Sequence, residues 1–227
     1  TYQWTYLNYA VTKGKRKSVK ALLNLGADID ALLFIGSAHS NLNIAAGHCD
    51  QAMIKLLLDY NVKMDHIIAS SPLDDLMVND CYSEGLFDLL IEHGTGVNHP
   101  EYISGSTPLI TAYAIRNEDA IDYLLSRGAD PLQIRTSGSS FASTLERDIS
   151  SNRNIKTAQK YKQRMMNDYN IQYPIEVSYR KGIEQSIKRY EKATAVEKQF
   201  LGASELERVS DMRESLITGI YNDIAID

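Results

Sequence analysis

The chain has 227 residues, of which 44% are hydrophobic, and a formal net charge of −5 at pH 7. This length allows one large domain or two small ones, and the hydrophobic content is ordinary for a globular protein. The acidic balance argues against nucleic acid as a partner, because nucleic-acid-binding domains are usually basic. No apolar run approaches the ~18 residues that a membrane-spanning helix needs, so we expect no transmembrane segment.

Two cysteines, Cys49 and Cys81, are too few for a disulfide framework. We therefore predict reduced thiols and an intracellular, cytoplasmic location. The N-terminus has no signal-peptide pattern. The chain starts at Thr1 rather than Met, as a fragment of a longer protein would.

From the N-terminus onwards, one pattern occurs four times, at intervals of about 33 residues. Each copy opens with Ser or Thr, continues with a short apolar helix pattern and a turn, and ends in a second segment with paired apolar residues. A period near 33 residues predicts stacked helical hairpins, that is, an all-α solenoid. The four copies are predicted at about 5–30, 40–65, 71–98 and 107–132.

The residue types at the ends of each copy explain why it forms two helices. The opening Ser or Thr can cap the first helix, and proline in its first turn, as at Pro72 and Pro108, costs no hydrogen bond. Glycine at the end of the second helix, as at Gly94 and Gly128, adopts the left-handed conformation without strain. No copy buries its apolar face alone, so stability comes from stacking.

Two further regions follow the four copies. Residues 137–172 repeat the pattern loosely, with an elongated second helix, and are predicted to form a degenerate fifth repeat or a cap. Residues 173–227 contain two amphipathic segments and are predicted to form a C-terminal helical extension. The extension either folds back on the array as a hairpin or forms a small separate bundle.

The fourth copy identifies the family most clearly. Residues 107–112 (TPLITA) and 123–130 (YLLSRGAD) resemble the ankyrin repeat, and residues 1–136 carry the resemblance. The usual histidine of the opening motif is replaced in the four copies by Asn8, Asn43, Asp74 and Ile110. The resemblance implies a non-catalytic module that binds a protein partner. The diverged repeats are also similar in character to ankyrin-containing effectors that bacteria deliver into host cells, where the partner would be a host protein in the cytosol.

Ankyrin repeats bind partners through the loops before each first helix, the fingers, and through the concave face of the first helices. Adjacent apolar residues in three fingers and the matching concave positions are therefore the predicted partner-binding residues. An acidic array with a partly apolar groove fits a protein segment that carries basic and aliphatic side chains. Alternatively, neighbouring fingers pack on one another and bury their apolar residues. The predicted binding residues are Phe34, Ile35, Ile67, Ile68, Tyr102 and Ile103 in the fingers, and Lys13, His48, Asn79 and Ile115 on the concave face.

Catalytic and metal-binding patterns are missing from the sequence. It contains no paired metal-ligand spacing, glycine-rich phosphate loop or nucleophile motif, so we predict no enzyme activity, no cofactor and no metal. A monomer is favoured. Two alternatives stay open: the chain is the targeting portion of a larger enzyme, or its C-terminal helices make it an oligomeric scaffold.

Overall fold

The computed structural model describes residues 4–35, 37–64, 69–192 and 203–218. Within these ranges the chain forms twelve helices and one short β-hairpin, which confirms the predicted all-α repeat fold. Helices α1 to α10 form five consecutive pairs, and two longer helices follow. The helices are α1 (Tyr6–Thr12), α2 (Arg16–Asn24), α3 (Asn41–Gly47), α4 (Gln51–Asp59), α5 (Pro72–Val78), α6 (Glu84–Glu92), α7 (Pro108–Ala114), α8 (Glu118–Ser126), α9 (Phe141–Ser150), α10 (Ile155–Asp168), α11 (Tyr179–Lys192) and α12 (Ala203–Thr218).

The predicted opening residues are the N-caps of the first helices. Thr5 accepts a hydrogen bond from the Asn8 backbone N–H at 3.0 Å, and the Asn8 side chain accepts one from the Thr5 backbone N–H at 3.2 Å. Ser40 and Asn43 form the same reciprocal capping box. In these two copies the asparagine that replaces the family's histidine therefore stabilises the start of its helix.

The turn after each first helix has the same geometry in the first four pairs. The residue after the helix C-cap has a positive φ, between 56° and 62°. The next backbone N–H then reaches back to a carbonyl five residues earlier, which is the hydrogen bond of a Schellman-type helix end. These bonds are Lys15 to Ala10 (2.9 Å), Asp50 to Ala45 (3.0 Å), Cys81 to Leu76 (2.8 Å) and Asn117 to Ala112 (3.0 Å).

One continuous core runs through all five pairs, from Leu7 in α1 to Ile171 after α10. The first helices stack in order, α1 on α3, α3 on α5 and α5 on α7. The paired apolar residues of the second helices are buried between the layers, as Leu57, Leu90 and Leu124 show. Each layer therefore covers the apolar face of its neighbour.

Tyrosine hydroxyls tie the second helices to the preceding repeat. The Tyr60 hydroxyl donates to Asn24 Oδ1 at 2.7 Å. The Tyr123 hydroxyl donates to Asp88 Oδ1 at 2.6 Å, and the Tyr161 hydroxyl to Asp122 Oδ1 at 2.8 Å. Each bond crosses between adjacent layers, so stacking is polar as well as apolar.

The finger of the second repeat is an antiparallel hairpin of β1 (Leu33–Ile35) and β2 (Ser37–His39), with Phe34 opposite Ala38. Ala38 also forms a parallel bridge to Ala69 in the next finger. At the other end of the array, the Thr136 N–H donates to the Ser104 carbonyl at 2.8 Å. Backbone contacts thus join neighbouring fingers, which agrees with the alternative in which the fingers pack on one another.

The C-terminal extension lies outside this core. Helices α11 and α12 pack against each other. Ile183, Ile187 and Val209 are buried there, and none of the three belongs to the cluster that fills the array. Within the described ranges, no helix has the length and apolar character needed to cross a membrane.

The prediction of two reduced thiols is wrong for this structure, which joins Cys49 and Cys81 in a disulfide. Each cysteine lies in the turn after a first helix of adjacent repeats. Stacking brings these turns together, with a Cα–Cα distance of 5.7 Å, which is a common separation for disulfides. The sequence separation of 32 residues is about one repeat period, so stacking places the two cysteines in adjacent turns.

Candidate functional site

The four predicted concave residues occupy one structural position. Lys13, His48, Asn79 and Ile115 are each the C-cap residue of a first helix, namely of α1, α3, α5 and α7. All four are exposed to solvent. Because the first helices stack in order, these residues form a row along the array, which we call the C-cap row.

Two exposed aliphatic side chains lie where the row passes from the third repeat to the fourth. Val78, the last residue of α5, is 62% exposed, and Ile115 is 40% exposed. Both side chains line a shallow cleft of about 500 Å³. Exposed aliphatic side chains beside each other in a cleft are a feature of interaction sites.

Charged residues form the rim of this cleft. Asp80, Glu118 and Asp119 line it together with Arg116. Glu118 accepts hydrogen bonds from Lys160 at 2.7 Å and Thr157 at 2.9 Å, and these bonds hold its pKa below the usual value. Part of the Glu118 charge is therefore balanced within the chain, and Asp80 and Asp119 supply the negative charge that faces solvent.

A second cleft of about 450 Å³ shares Asp119 with the first and is lined by Tyr82, Asp122 and Tyr123. Two of its polar side chains are engaged inside the chain. The Tyr123 hydroxyl bonds Asp88, and Asp122 accepts from Arg164 Nη1 at 2.6 Å as well as from Tyr161. This cleft therefore offers fewer free groups to a partner than the first.

An aromatic patch at the start of the row was missed by the sequence prediction. Tyr6 is 86% exposed, and Trp4 and Tyr9 are about half exposed, with the Trp4 and Tyr9 rings packed edge to face. The Lys13 amino group lies 5.7 Å from the centre of the Tyr9 ring. The signal was present in the sequence, since aromatic residues stand here at positions where the family has Pro and Leu.

The predicted finger residues have mixed outcomes. Ile103 is exposed, but Tyr102 is only 4% exposed, so its predicted role as a solvent-facing anchor is corrected. The finger that holds Tyr102 is covered by the Arg189 guanidinium of α11, which lies against Gly105. Phe34 and Ile35 lie in β1, and the structure describes their backbone only. Ile67 and Ile68 lie outside the described residues.

The acidic and histidine side chains form no metal-binding group of three or more within the described part of the chain. Two carboxyls, the buried Asp74 and the partly buried Asp75, lie at the interface between repeats. Asp75 accepts a hydrogen bond from Asn43 Nδ2 at 2.5 Å, which crosses from the second repeat to the third. We assign both carboxyls to the packing of the array.

Comparisons with known proteins identify the repeats. The family model of the ankyrin repeat matches residues 104–137, which contain α7 and α8. The chain is also similar to the ankyrin repeat protein nuc-2 of Neurospora crassa, with 27% identity over 128 residues. This alignment covers 56% of the chain and 12% of the length of the fungal protein. The family match at residues 104–137, together with the capped helical pairs that stack on it, shows an all-α ankyrin-repeat fold.

Proposed function

We propose that the chain binds a protein partner through the cleft between the third and fourth repeats, where Val78 and Ile115 form an apolar floor. Ankyrin repeats are interaction modules, and this cleft places exposed aliphatic and acidic side chains together. The observation that supports this proposal most directly is the exposure of Val78 at the end of α5 (62%) and of Ile115 at the C-cap of α7 (40%).

The chemistry of the cleft selects the kind of partner segment. An aliphatic side chain that covers Val78 and Ile115 would remove their apolar surface from water, which stabilises binding by about 25 cal/mol per Å². Lys or Arg residues beside it would face Asp80 and Asp119. Such charge pairs at a rim mainly raise the association rate and its dependence on salt. The partner segment is therefore extended or helical, with an aliphatic residue flanked by basic ones.

The predicted effector role would specify where the partner is found, and it leaves the proposed chemistry of the cleft unchanged. If the chain is delivered into a host cell, the partner segment belongs to a host protein. In either setting the chain itself carries out no reaction in this proposal.

A displayed library of random peptides, selected against the immobilised chain, tests the proposal. We expect enrichment of peptides with Ile, Leu or Val next to Lys or Arg. Replacing Val78 and Ile115 together by Ser should weaken a selected peptide by about tenfold or more, since two partly exposed aliphatic contacts are lost. Leu25→Ser is the matched control, because Leu25 is 85% exposed at the end of α2, away from the cleft.

A second variant tests the charged rim of the cleft. Asp80→Asn with Asp119→Asn should slow association and flatten its dependence on salt. Asparagine tolerates the positive φ of 59° at position 80, so the turn is preserved. Selected peptides without basic residues, or equal binding by the Val78/Ile115 double variant and the parent chain, would rule out this cleft.

A further inference from the structure

Small residues line one side of α11 and of the residue just before it. Ser178, Gly182 and Ser186 are spaced four apart and all are buried. This spacing places them on one side of the helix, one above another. Ile183 and Ile187 are buried beside them. Small side chains on one helical face allow another backbone to approach closely.

The backbone that approaches this face is the fifth finger, residues 135–138. A side chain at Gly182 would overlap the carbonyl oxygens of Arg135 and Thr136. Across the same contact Gly138, with φ of 78°, lies against the backbone of Ser178. Two glycines therefore permit direct backbone-to-backbone contact between the extension and the array.

Two turns further along α11, Arg189 reaches the fourth finger, residues 101–106. Its Nη2 donates to Thr136 Oγ1 at 2.7 Å, and the Thr136 hydroxyl in turn donates to the Ile103 carbonyl at 2.8 Å. A side chain added at Gly105 would come within 2.9 Å of the guanidinium nitrogens. Arg189 thus joins α11 to both fingers at once.

This contact is separate from the packing that stabilises the array. The buried apolar residues of the extension, Ile183, Ile187 and Val209, lie outside the core that runs from Leu7 to Ile171. Release of α11 would therefore expose the two fingers without opening that core. A contact of this kind opens at lower free-energy cost than the core of a domain.

We propose that the fourth and fifth fingers form a helix-docking surface whose resident ligand is the chain's own α11. The surface selects a helix with small residues four apart and an arginine seven residues after the central one, as in Ser178, Gly182, Ser186 and Arg189. While α11 is seated, these fingers are closed to partners. A partner helix with the same pattern binds by displacing α11. This surface is distinct from the Val78/Ile115 cleft, so the proposal holds or fails independently of the proposed function.

Gly182→Leu in the full chain tests the docking, with amide hydrogen exchange measured by mass spectrometry. The larger side chain should expel α11 and speed exchange in residues 101–106, 135–138 and α11 by on the order of tenfold or more. Exchange in α7 to α10 should stay unchanged. The matched control is Gly85→Ala in α6, because a side chain there meets no atom within 4 Å.

A synthetic peptide of residues 177–192 then tests whether the vacated surface binds a helix. At millimolar concentration it should restore slow exchange to both fingers of the Gly182→Leu chain, and the same peptide with leucine at position 182 should not. Unchanged exchange in the variant, faster exchange that spreads into α7 to α10, or a peptide without effect would each overturn the proposal. Should Gly182→Leu fail to fold, Arg189→Gln provides the second variant, with the same expected pattern centred on the fourth finger.

Discussion

At the residue scale, polar side chains link the openings of successive repeats. Asn8 Nδ2 donates to Asn41 Oδ1 at 2.9 Å in the second repeat, and Asn43 Nδ2 donates to Asp75 in the third. Asp74 occupies the equivalent position to Asn8 and Asn43 but carries a carboxyl group. Its side chain is buried, and burial raises its pKa to about 7. Burial also raises the pKa of Asp75 to about 6.

These raised values predict how stability depends on pH. A carboxyl whose pKa is higher in the folded state than in the unfolded chain, where it is about 3.9, binds protons more tightly when folded. The free energy of unfolding should therefore fall as pH rises from about 4 to 7, through the range set by both groups. Asp74→Asn should make this decline shallower, by on the order of 2 kcal/mol between pH 5 and 8.

Urea unfolding at a series of pH values measures this slope. Asp75 still titrates in the Asp74→Asn variant. The free energy of unfolding of that variant should therefore still fall with rising pH, but less steeply and only up to about pH 6. Asp59→Asn, at the exposed end of α4, is the matched control and should follow the parent chain. Parallel curves for the parent and Asp74→Asn would contradict the assignment.

At the scale of helices and turns, the sequence pattern predicted the helices of the array well. It predicted the contacts between loops poorly. The start of α7 after Thr107 follows from a cap residue and a proline, which act within one turn of the helix. The Cys49–Cys81 pair and the burial of Tyr102 depend instead on which loops meet after stacking. The repeat period places the two cysteines in adjacent turns, but it does not show that they bond to each other. It also does not show that α11 covers the finger that contains Tyr102.

The disulfide predicts a stability difference between the oxidised and reduced chain. It closes a loop of 32 residues, and such a cross-link stabilises a fold by about 3–4 kcal/mol, mainly through the unfolded state. Urea unfolding of the parent chain with and without a thiol reductant should show this difference. The Cys81→Ser chain should unfold at the same urea concentration in both conditions. An intact mass that does not rise by two hydrogens on reduction would contradict the pairing.

At the scale of the whole molecule, the chain combines an array with a continuous core and an extension attached at the fingers. The array follows from the period, because each layer repeats the same apolar positions. The seating of α11 could not be predicted, since it depends on Gly182 meeting Gly138 across 44 residues of sequence. Of the two arrangements expected for the extension, the structure has the one that folds back on the array.

This division predicts that core substitutions in the two parts have different consequences. Leu90 is fully buried in the middle of the array, and Leu90→Ala should lower the free energy of unfolding by about 2–5 kcal/mol. Ile187→Ala removes a similar side chain from the extension, so it should loosen α11 and α12 and leave the main transition in place. Far-UV circular dichroism against urea separates the two effects: Leu90→Ala shifts the main midpoint, whereas Ile187→Ala increases the loss of helix before it. An equal shift of the main midpoint in both variants would mean that the array and the extension unfold as one cooperative unit.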